Sequence, residues 1–290
     1  MDLESLIGVV GAGTMGNGIA HVCARAGYRV MLYDVNHPAL SLGLETIHNN
    51  LAREVAKQRL TEQQAAAARE RITGTTRLAD LAPAAVVIEA APERFAVKAE
   101  VFRDLDELLG PESVIASNTS SISITKLAGV TGRPGRVIGM HFFNPVPVMR
   151  LVEVIRGLET AEETFEQARV FAEMLGKTPA EVHDAAGFVS NRVLMPLINE
   201  AVYAVMEGVA TAEAIDQVFV LGMAHPMGPL TLADFIGLDV CLDIMRVLVE
   251  GLGDPKYRPC PLLVRMVDAG WLGRKSGHGF YRYEAGQGRA

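Results

Sequence analysis

The chain has 290 residues, room for about two domains of ordinary size. A hydrophobic share of 49 %, with 28 Gly and 14 Pro, excludes a disordered chain and is ample for large buried cores. Twenty-seven Lys and Arg against 34 Asp and Glu leave a net charge of −7, a poor match for a nucleic-acid backbone, so no nucleic-acid partner is expected.

The first half alternates short apolar runs with helix-length segments. Leu6–Val10 reads as a strand without polar alternation, the pattern of a parallel strand covered on both faces. A helix-period segment from Gly16 to Ala26 follows, closed by Gly27, and Arg29–Asp34 reads as a second strand ending in an acid. Residues 38–73 read as two long helices, the second opened by the capping box Thr61-Glu62-Gln63-Gln64. Ala85–Glu89, Ser113–Ser117 and Arg136–Met140 are further strands, with a helix from Ala96 to Leu109 between the first two. Leu151–Ile155 is another strand. The Pro-containing link from Met140 is too short for a crossover helix, so these last two strands are expected antiparallel. Beyond 184–187 the texture becomes helical, with candidate helices over 188–207, 211–221, 229–250 and 259–269.

Three cysteines (Cys23, Cys241, Cys260) stand far apart and match neither a disulfide framework nor a metal site, so no metal is expected. Met1-Asp2-Leu3-Glu4 lacks a basic leader region, and the apolar runs are too broken to span a bilayer. The expectation is a cytoplasmic protein without a membrane partner.

Gly11-Ala12-Gly13-Thr14-Met15-Gly16 is a G-x-G-x-x-G run between a strand and a helix, the context that this motif requires. Gly11 permits the turn, Gly13 allows backbone to approach a pyrophosphate, and Gly16 lets helix pack on strand. Asp34 lies eighteen residues after Gly16, where an acid accepts hydrogen bonds from a ribose 2′-hydroxyl and repels a 2′-phosphate. NAD is therefore expected rather than NADP. The fold class that follows is α/β: a Rossmann-like doubly wound sheet, mostly parallel and mixed at one end, over 1–184 with a helical insertion at about 38–73. A second, all-α domain occupies 185–290.

Hydride transfer from an alcohol requires a base for the hydroxyl proton, and histidine suits that task near neutral pH. Of seven histidines, His141 is favoured because it follows the strand Val137–Met140, at the carboxyl end where ligands of open α/β sheets collect. Glu153 lies twelve residues later between apolar neighbours. If the two strands pair, it meets His141, and a carboxylate there orients the ring and favours its charged form.

The chain resembles the L-3-hydroxyacyl-CoA dehydrogenase family, in particular its bacterial 3-hydroxybutyryl-CoA dehydrogenase type. The likeness runs through the glycine run, Ser117-Asn118-Thr119-Ser120-Ser121, His141-Phe142-Phe143-Asn144-Pro145-Val146-Pro147-Val148-Met149 and Leu151-Val152-Glu153-Val154-Ile155. It continues through Gly187-Phe188 with Asn191-Arg192, Pro226-Met227-Gly228-Pro229, and Gly273–Tyr281. The resemblance implies NAD-dependent oxidation of a 3-hydroxyacyl-CoA in a cleft between the two domains, and the reverse reaction.

By the same resemblance, His141 matches the base, Glu153 its acidic partner, and Ser120 a serine on the substrate's 3-oxygen. Asn191 matches an active-site asparagine contributed by the second domain. Gly11, Gly13, Thr14, Met15, Gly16 and Asp34 are expected on the cofactor. Glu93, Lys98 and Asn118 are expected near its nicotinamide end, with Asn144 helping to hold that cleft. Lys57, with Arg53 and Arg59 on the insertion, matches a CoA-binding surface, and a homodimer through the second domains is implied. Three departures stand out: Ala186 where a proline is usual before Gly187, Ser190 for an apolar residue, and His278 for an acid. Competing readings are a gulonate-type dehydrogenase, another β-hydroxyacid dehydrogenase, or a non-catalytic NAD-binding protein. The β-hydroxyacid group relies on a lysine where Asn191 and Arg192 stand.

Overall fold

The computed structural model describes residues 3–284; Met1 and Asp2, and the last six residues of the region read as the second domain, lie outside it. The chain forms two compact units that divide between Asp184 and Ala185.

In the first unit the elements in chain order are β1 (Leu6–Val10), α1 (Thr14–Arg25), β2 (Arg29–Tyr33), α2 (His37–Ala56), α3 (Glu62–Glu70), β3 (Ile72–Thr75) and β4 (Val86–Glu89). They continue with α4 (Phe95–Leu108), β5 (Val114–Ser117), α5 (Ile124–Ala128), β6 (Val137–Phe142), β7 (Leu151–Arg156), α6 (Glu162–Met174) and β8 (Thr178–His183). The sheet order is β3-β2-β1-β4-β5-β6-β7-β8, with β3 through β6 parallel to one another. Chain order reverses at β1, so the carboxyl ends of β1 and β4 flank a natural crevice. Every residue of β4, β5 and β6 is buried, which explains why these strands show no polar alternation.

The link Phe143–Arg150 is too short for a crossover, and β7 runs antiparallel to β6. Helix α6 then returns the chain so that β8 lies parallel to β7. The sheet is thus mixed at one end, as the short link dictates.

The reading of 38–73 needs correction. The stretch 38–73 is not helical throughout: α3 ends at Glu70 and Ile72–Thr75 pairs with β2 as an edge strand. Glycine and two threonines in that short run carry almost no apolar signal, and only pairing with β2 makes it a strand. Helix α6 and strand β8, the last elements before the second region, are additional to the expected ones. In contrast, the Thr61 capping box forms in full, with Thr61 Oγ1 accepting from the Gln64 N–H and Gln64 Oε1 accepting from the Thr61 N–H.

The second unit is helical: α7 (Ser190–Met206), α8 (Ala212–Gln217), α9 (Pro229–Ile236), α10 (Leu238–Leu252) and α11 (Pro261–Asp268). The expected helix over 229–250 is two helices, broken at Gly237, whose φ of 108° no helix accommodates. The expected helix over 211–221 stops at Gln217 and widens into a π turn over Val218–Gly222. Val202, Leu230, Ala233, Leu238, Leu242 and Leu248 form the centre of its core. Two buried acids tie the unit together. Asp216 accepts from the Leu230 and Thr231 N–H groups and from Tyr281 Oη, while Asp234 accepts from the Phe280 and Tyr281 N–H groups and from Tyr283 Oη.

Candidate active site

The turn after β1 depends on two glycines. Gly11 has φ of 97°, and a Cβ there would lie 2.7 Å from the Ala90 carbonyl oxygen. A Cβ on Gly16 would lie 1.7 Å from the Gly11 oxygen, so α1 starts hard against the turn only because Gly16 has none. Gly13 is the N-cap of α1, and no atom lies within 4 Å of where its Cβ would be. The first N–H groups of α1, with the positive end of its dipole, therefore open onto clear space. Thr14 is exposed at that end, and Met15 packs on the core behind it.

Asp34 follows β2 and turns its carboxylate back toward the glycines: Oδ2 accepts from the Ala12 N–H at 2.8 Å and Oδ1 from the Asn36 N–H at 2.9 Å. Beside it lies a groove of about 470 Å³ lined by Gly11, Asp34, Val35, Ala91, Pro92 and Val97. On the other side of the turn a groove of about 350 Å³ is lined by Gly13, Thr14, Leu42 and Thr46 of α2, and Asn144 and Pro145. A helix N-terminus open to solvent, an acid held against the glycine turn and an apolar groove beside it fit a dinucleotide.

Strand register produces the second feature. His141 stands directly opposite Glu153 in the β6–β7 pair, and its Nδ1 lies 2.7 Å from Glu153 Oε2. Both are buried, at 8 % and 2 % exposure. β6 runs on through Phe142, so His141 sits inside the strand rather than after it, which gives it a fixed backbone. The Phe143 ring packs 4.7 Å from the imidazole, centre to centre. The link between the two strands is held from below by Lys177, whose ammonium donates to the Val146 and Met149 carbonyls. Asn118 ties β6 to the neighbouring strands, its Oδ1 accepting from the Phe142 N–H and its own N–H donating to the Glu89 carbonyl.

A third cluster lies past the carboxyl ends of β4 and β5. Glu93 Oε1 accepts from Thr119 Oγ1 at 2.6 Å and from the Ser120 N–H at 2.9 Å, with Ser120 Oγ at 3.3 Å and Ser121 Oγ at 3.0 Å. Burial opposes the charge on Glu93, yet nearby Lys98 and the hydrogen bonds from Thr119, Ser120 and Ser121 outweigh it and hold the carboxyl below the ordinary carboxylate range. Lys98, on α4, is 1 % exposed and so is not a surface helix charge. Its ammonium lies 2.7 Å from Glu89 Oε1, 3.1 Å from the Ala91 carbonyl and 3.3 Å from Glu93 Oε2.

The structure thus groups His141 with Glu153, Ser120 with Glu93 and Lys98, and the glycine turn with Asp34 and Asn144. Lys57 stands exposed at the carboxyl end of α2. Asn191 belongs to the second unit, where it is the second residue of α7 and its N–H donates to the Gly187 carbonyl; the N-cap is Val189. Among the described residues no cluster of His, Cys, Asp and Glu could hold a metal ion, and no helix is long and apolar enough to cross a membrane. Sequence reading missed Glu89 and Lys177. Glu89 carries the same signal that singled out Glu153, a lone acid on an apolar strand.

Comparison with known proteins completes the picture. Residues 6–185 match the family model described as 3-hydroxyacyl-CoA dehydrogenase, NAD binding domain, and residues 187–283 match the C-terminal domain of the same family. The chain belongs to the 3-hydroxyacyl-CoA dehydrogenase family. It is accordingly an NAD-dependent oxidoreductase, and the glycine turn with Asp34 provides the fit for that cofactor. A 3-hydroxybutyryl-CoA dehydrogenase of Bradyrhizobium diazoefficiens is 56 % identical over 277 residues, 96 % of this chain and 94 % of that one. The human mitochondrial hydroxyacyl-coenzyme A dehydrogenase is 39 % identical, over 95 % of this chain and 90 % of its own. The crystal structure of (S)-3-hydroxybutyryl-CoA dehydrogenase from Ralstonia eutropha superimposes with a TM-score of 0.95 at 50 % identity, covering 97 % of this chain and all of that one.

Proposed function

We propose that this dehydrogenase interconverts L-3-hydroxybutyryl-CoA and acetoacetyl-CoA, with His141 as general base and Glu153 as its orienting acid. The observation that carries the reading is the buried His141–Glu153 contact of 2.7 Å, formed across paired strands. With Nδ1–H donated to Glu153, Nε2 carries the lone pair and takes the proton of the 3-hydroxyl group. As that proton arrives, the imidazole becomes positive and the carboxylate stabilises it. Bound NAD supplies the hydride acceptor. In the reverse direction the imidazolium returns its proton to the 3-keto oxygen.

Ser120 is proposed to hydrogen-bond the 3-oxygen, Glu93 and Lys98 to form the wall at the nicotinamide end with Asn118, and Asn144 to support it. Gly11, Gly13, Thr14, Met15, Gly16 and Asp34 are proposed as the dinucleotide contacts. The first unit is then the NAD domain and the second the domain of substrate contact and dimerisation, with Asn191 assigned to substrate through the family resemblance. Lys57 is proposed to meet the CoA phosphates, and the protein to act as a cytoplasmic homodimer.

The test is NADH consumption with acetoacetyl-CoA beside free acetoacetate and gulonate-type substrates, followed by a series of acyl lengths. The reading requires turnover with short 3-ketoacyl-CoA and little with the free acids. His141→Gln is expected to abolish turnover while NADH affinity, read by fluorescence, stays within about threefold; general acid–base loss alone is worth roughly 10²–10⁴. No NADH consumption with any acyl-CoA would refute it in favour of a non-catalytic NAD-binding protein.

A further inference from the structure

Glu89 has no place in the mechanism above, yet among the described residues it is the most enclosed acid of the first unit, fully buried at the end of β4. Its two oxygens are committed to three groups from three segments. Oε1 accepts from the Lys98 ammonium at 2.7 Å and from the Ala91 N–H at 2.6 Å; Oε2 accepts from Ser117 Oγ at 2.6 Å. The three N–H bonds of Lys98 are likewise matched by three oxygens, those of Glu89, Ala91 and Glu93. Glu93 is the outer member, with its side chain 39 % exposed against 1 % for Lys98. It draws the Thr119 hydroxyl and the backbone N–H groups and hydroxyls of Ser120 and Ser121 onto a single oxygen.

Physical chemistry orders these contacts. A buried ammonium without enough anionic neighbours moves toward whatever carboxylate remains, because an uncompensated buried charge is expensive. Glu89 is nearer to Lys98 than Glu93 is, and it is the better buried of the two, so the lysine is anchored inward. Glu93 is thereby left with one oxygen turned to Lys98 and the other to the serine loop.

We propose that Glu89 is a positioning residue for the reaction: by anchoring Lys98 inward, it leaves Glu93 to gather the Thr119–Ser121 loop and so sets the place of the Ser120 hydroxyl. The inference rests on the reading of Ser120 as a substrate contact. The net charge of Glu89, Lys98 and Glu93 together is −1, and neutralising Glu89 leaves Lys98 and Glu93 as a closed pair.

The experiment compares wild type with Glu89→Gln, which preserves shape, removes the charge and turns one acceptor oxygen into an NH2 donor that Ser117 Oγ can accept. Two quantities are measured: kcat/KM for acetoacetyl-CoA with NADH, and the titration of the Glu93 carboxyl by 13C NMR of the NAD-free protein. With the competing anion gone and Lys98 drawn outward, Glu93 is expected to titrate at lower pH than in wild type. The Ser120 loop then shifts, and kcat/KM is expected to fall about 10- to 100-fold, the loss typical of an ångström-scale displacement. Loss of the Glu89 charge contributes to that titration shift by itself, so positioning is shown only where kcat/KM falls with it. Glu89→Asp, which keeps the charge on a shorter arm, serves if the glutamine variant does not fold, with smaller changes in the same directions. An unmoved Glu93 titration in whichever variant folds, or kcat/KM within twofold of wild type, overturns the proposal. Absence of turnover in wild type would instead sink the functional reading, and the Glu93 titration distinguishes that failure from this one.

Discussion

The contact on which the proposed chemistry rests has a calculable consequence in Glu153→Gln. Glutamine keeps a side-chain oxygen to accept from His141 Nδ1–H, so ring orientation is retained in large part and the main loss is a negative charge. With the charge centres about 4 Å apart and an effective dielectric of about 20, that charge favours the imidazolium by about 4 kcal/mol. Part of this offsets the desolvation of two buried groups. A net loss of about 2–3 kcal/mol in the proton-transfer transition state corresponds to roughly 30- to 160-fold in kcat. The assay is steady-state oxidation of NADH by acetoacetyl-CoA, with NADH binding and thermal melting measured on the same preparation. Because Glu153 lies on β7 and the glycine turn proposed to bind NAD follows β1, NADH affinity is expected to change less than threefold. A variant that melts like wild type and turns over within threefold of it would refute the claim that Glu153 stabilises the charged base.

Asp34→Ala removes the acid turned toward the glycine loop, so NADH affinity should fall and the preference over NADPH should narrow by roughly tenfold, the worth of one charged hydrogen bond, read from the ratio of kcat/KM values. Gly16→Ala places a methyl 1.7 Å from the Gly11 oxygen; α1 must move off the turn, with a drop in melting temperature and loss of NADH binding as the expected result. Glu93 is held below the ordinary carboxylate range, so the native state binds fewer protons there than the unfolded chain does. Its contribution to stability is complete above the ordinary range and disappears as pH falls through the lowered native value. Denaturant unfolding at stepped acidic pH should show a shallower decline in Glu93→Gln than in wild type, and equal slopes would contradict the assignment.

Much of the sheet and its first site were legible because their signals are local. A glycine run can be recognised without neighbours, since the backbone conformation and close approach it permits belong to those residues. The shortness of Phe143–Arg150 likewise compels β6 and β7 to run antiparallel whatever surrounds them. Strand β3 is not legible because Thr73, Gly74 and Thr75 have no pattern of their own, and the break between α9 and α10 is hidden because one glycine inside an apolar helical period is a weak signal. The interior position of Lys98 was equally hidden. On α4 it reads as any exposed helix lysine, and only its placement over Glu89 takes it out of water.

By itself the sequence determined that this chain carries a glycine turn between strand and helix with an acid at the end of the next strand, and that a histidine and a glutamate lie on consecutive strands. Those are statements about spacing along the chain, which covalent geometry makes binding. Only the tertiary structure decided that His141 and Glu153 are register partners 2.7 Å apart, and that Glu89, Ser117 and Lys98 share one buried network. Strand register is set by how whole sheet faces bury their apolar side chains, and burial of a charge depends on what arrives from distant segments to meet it.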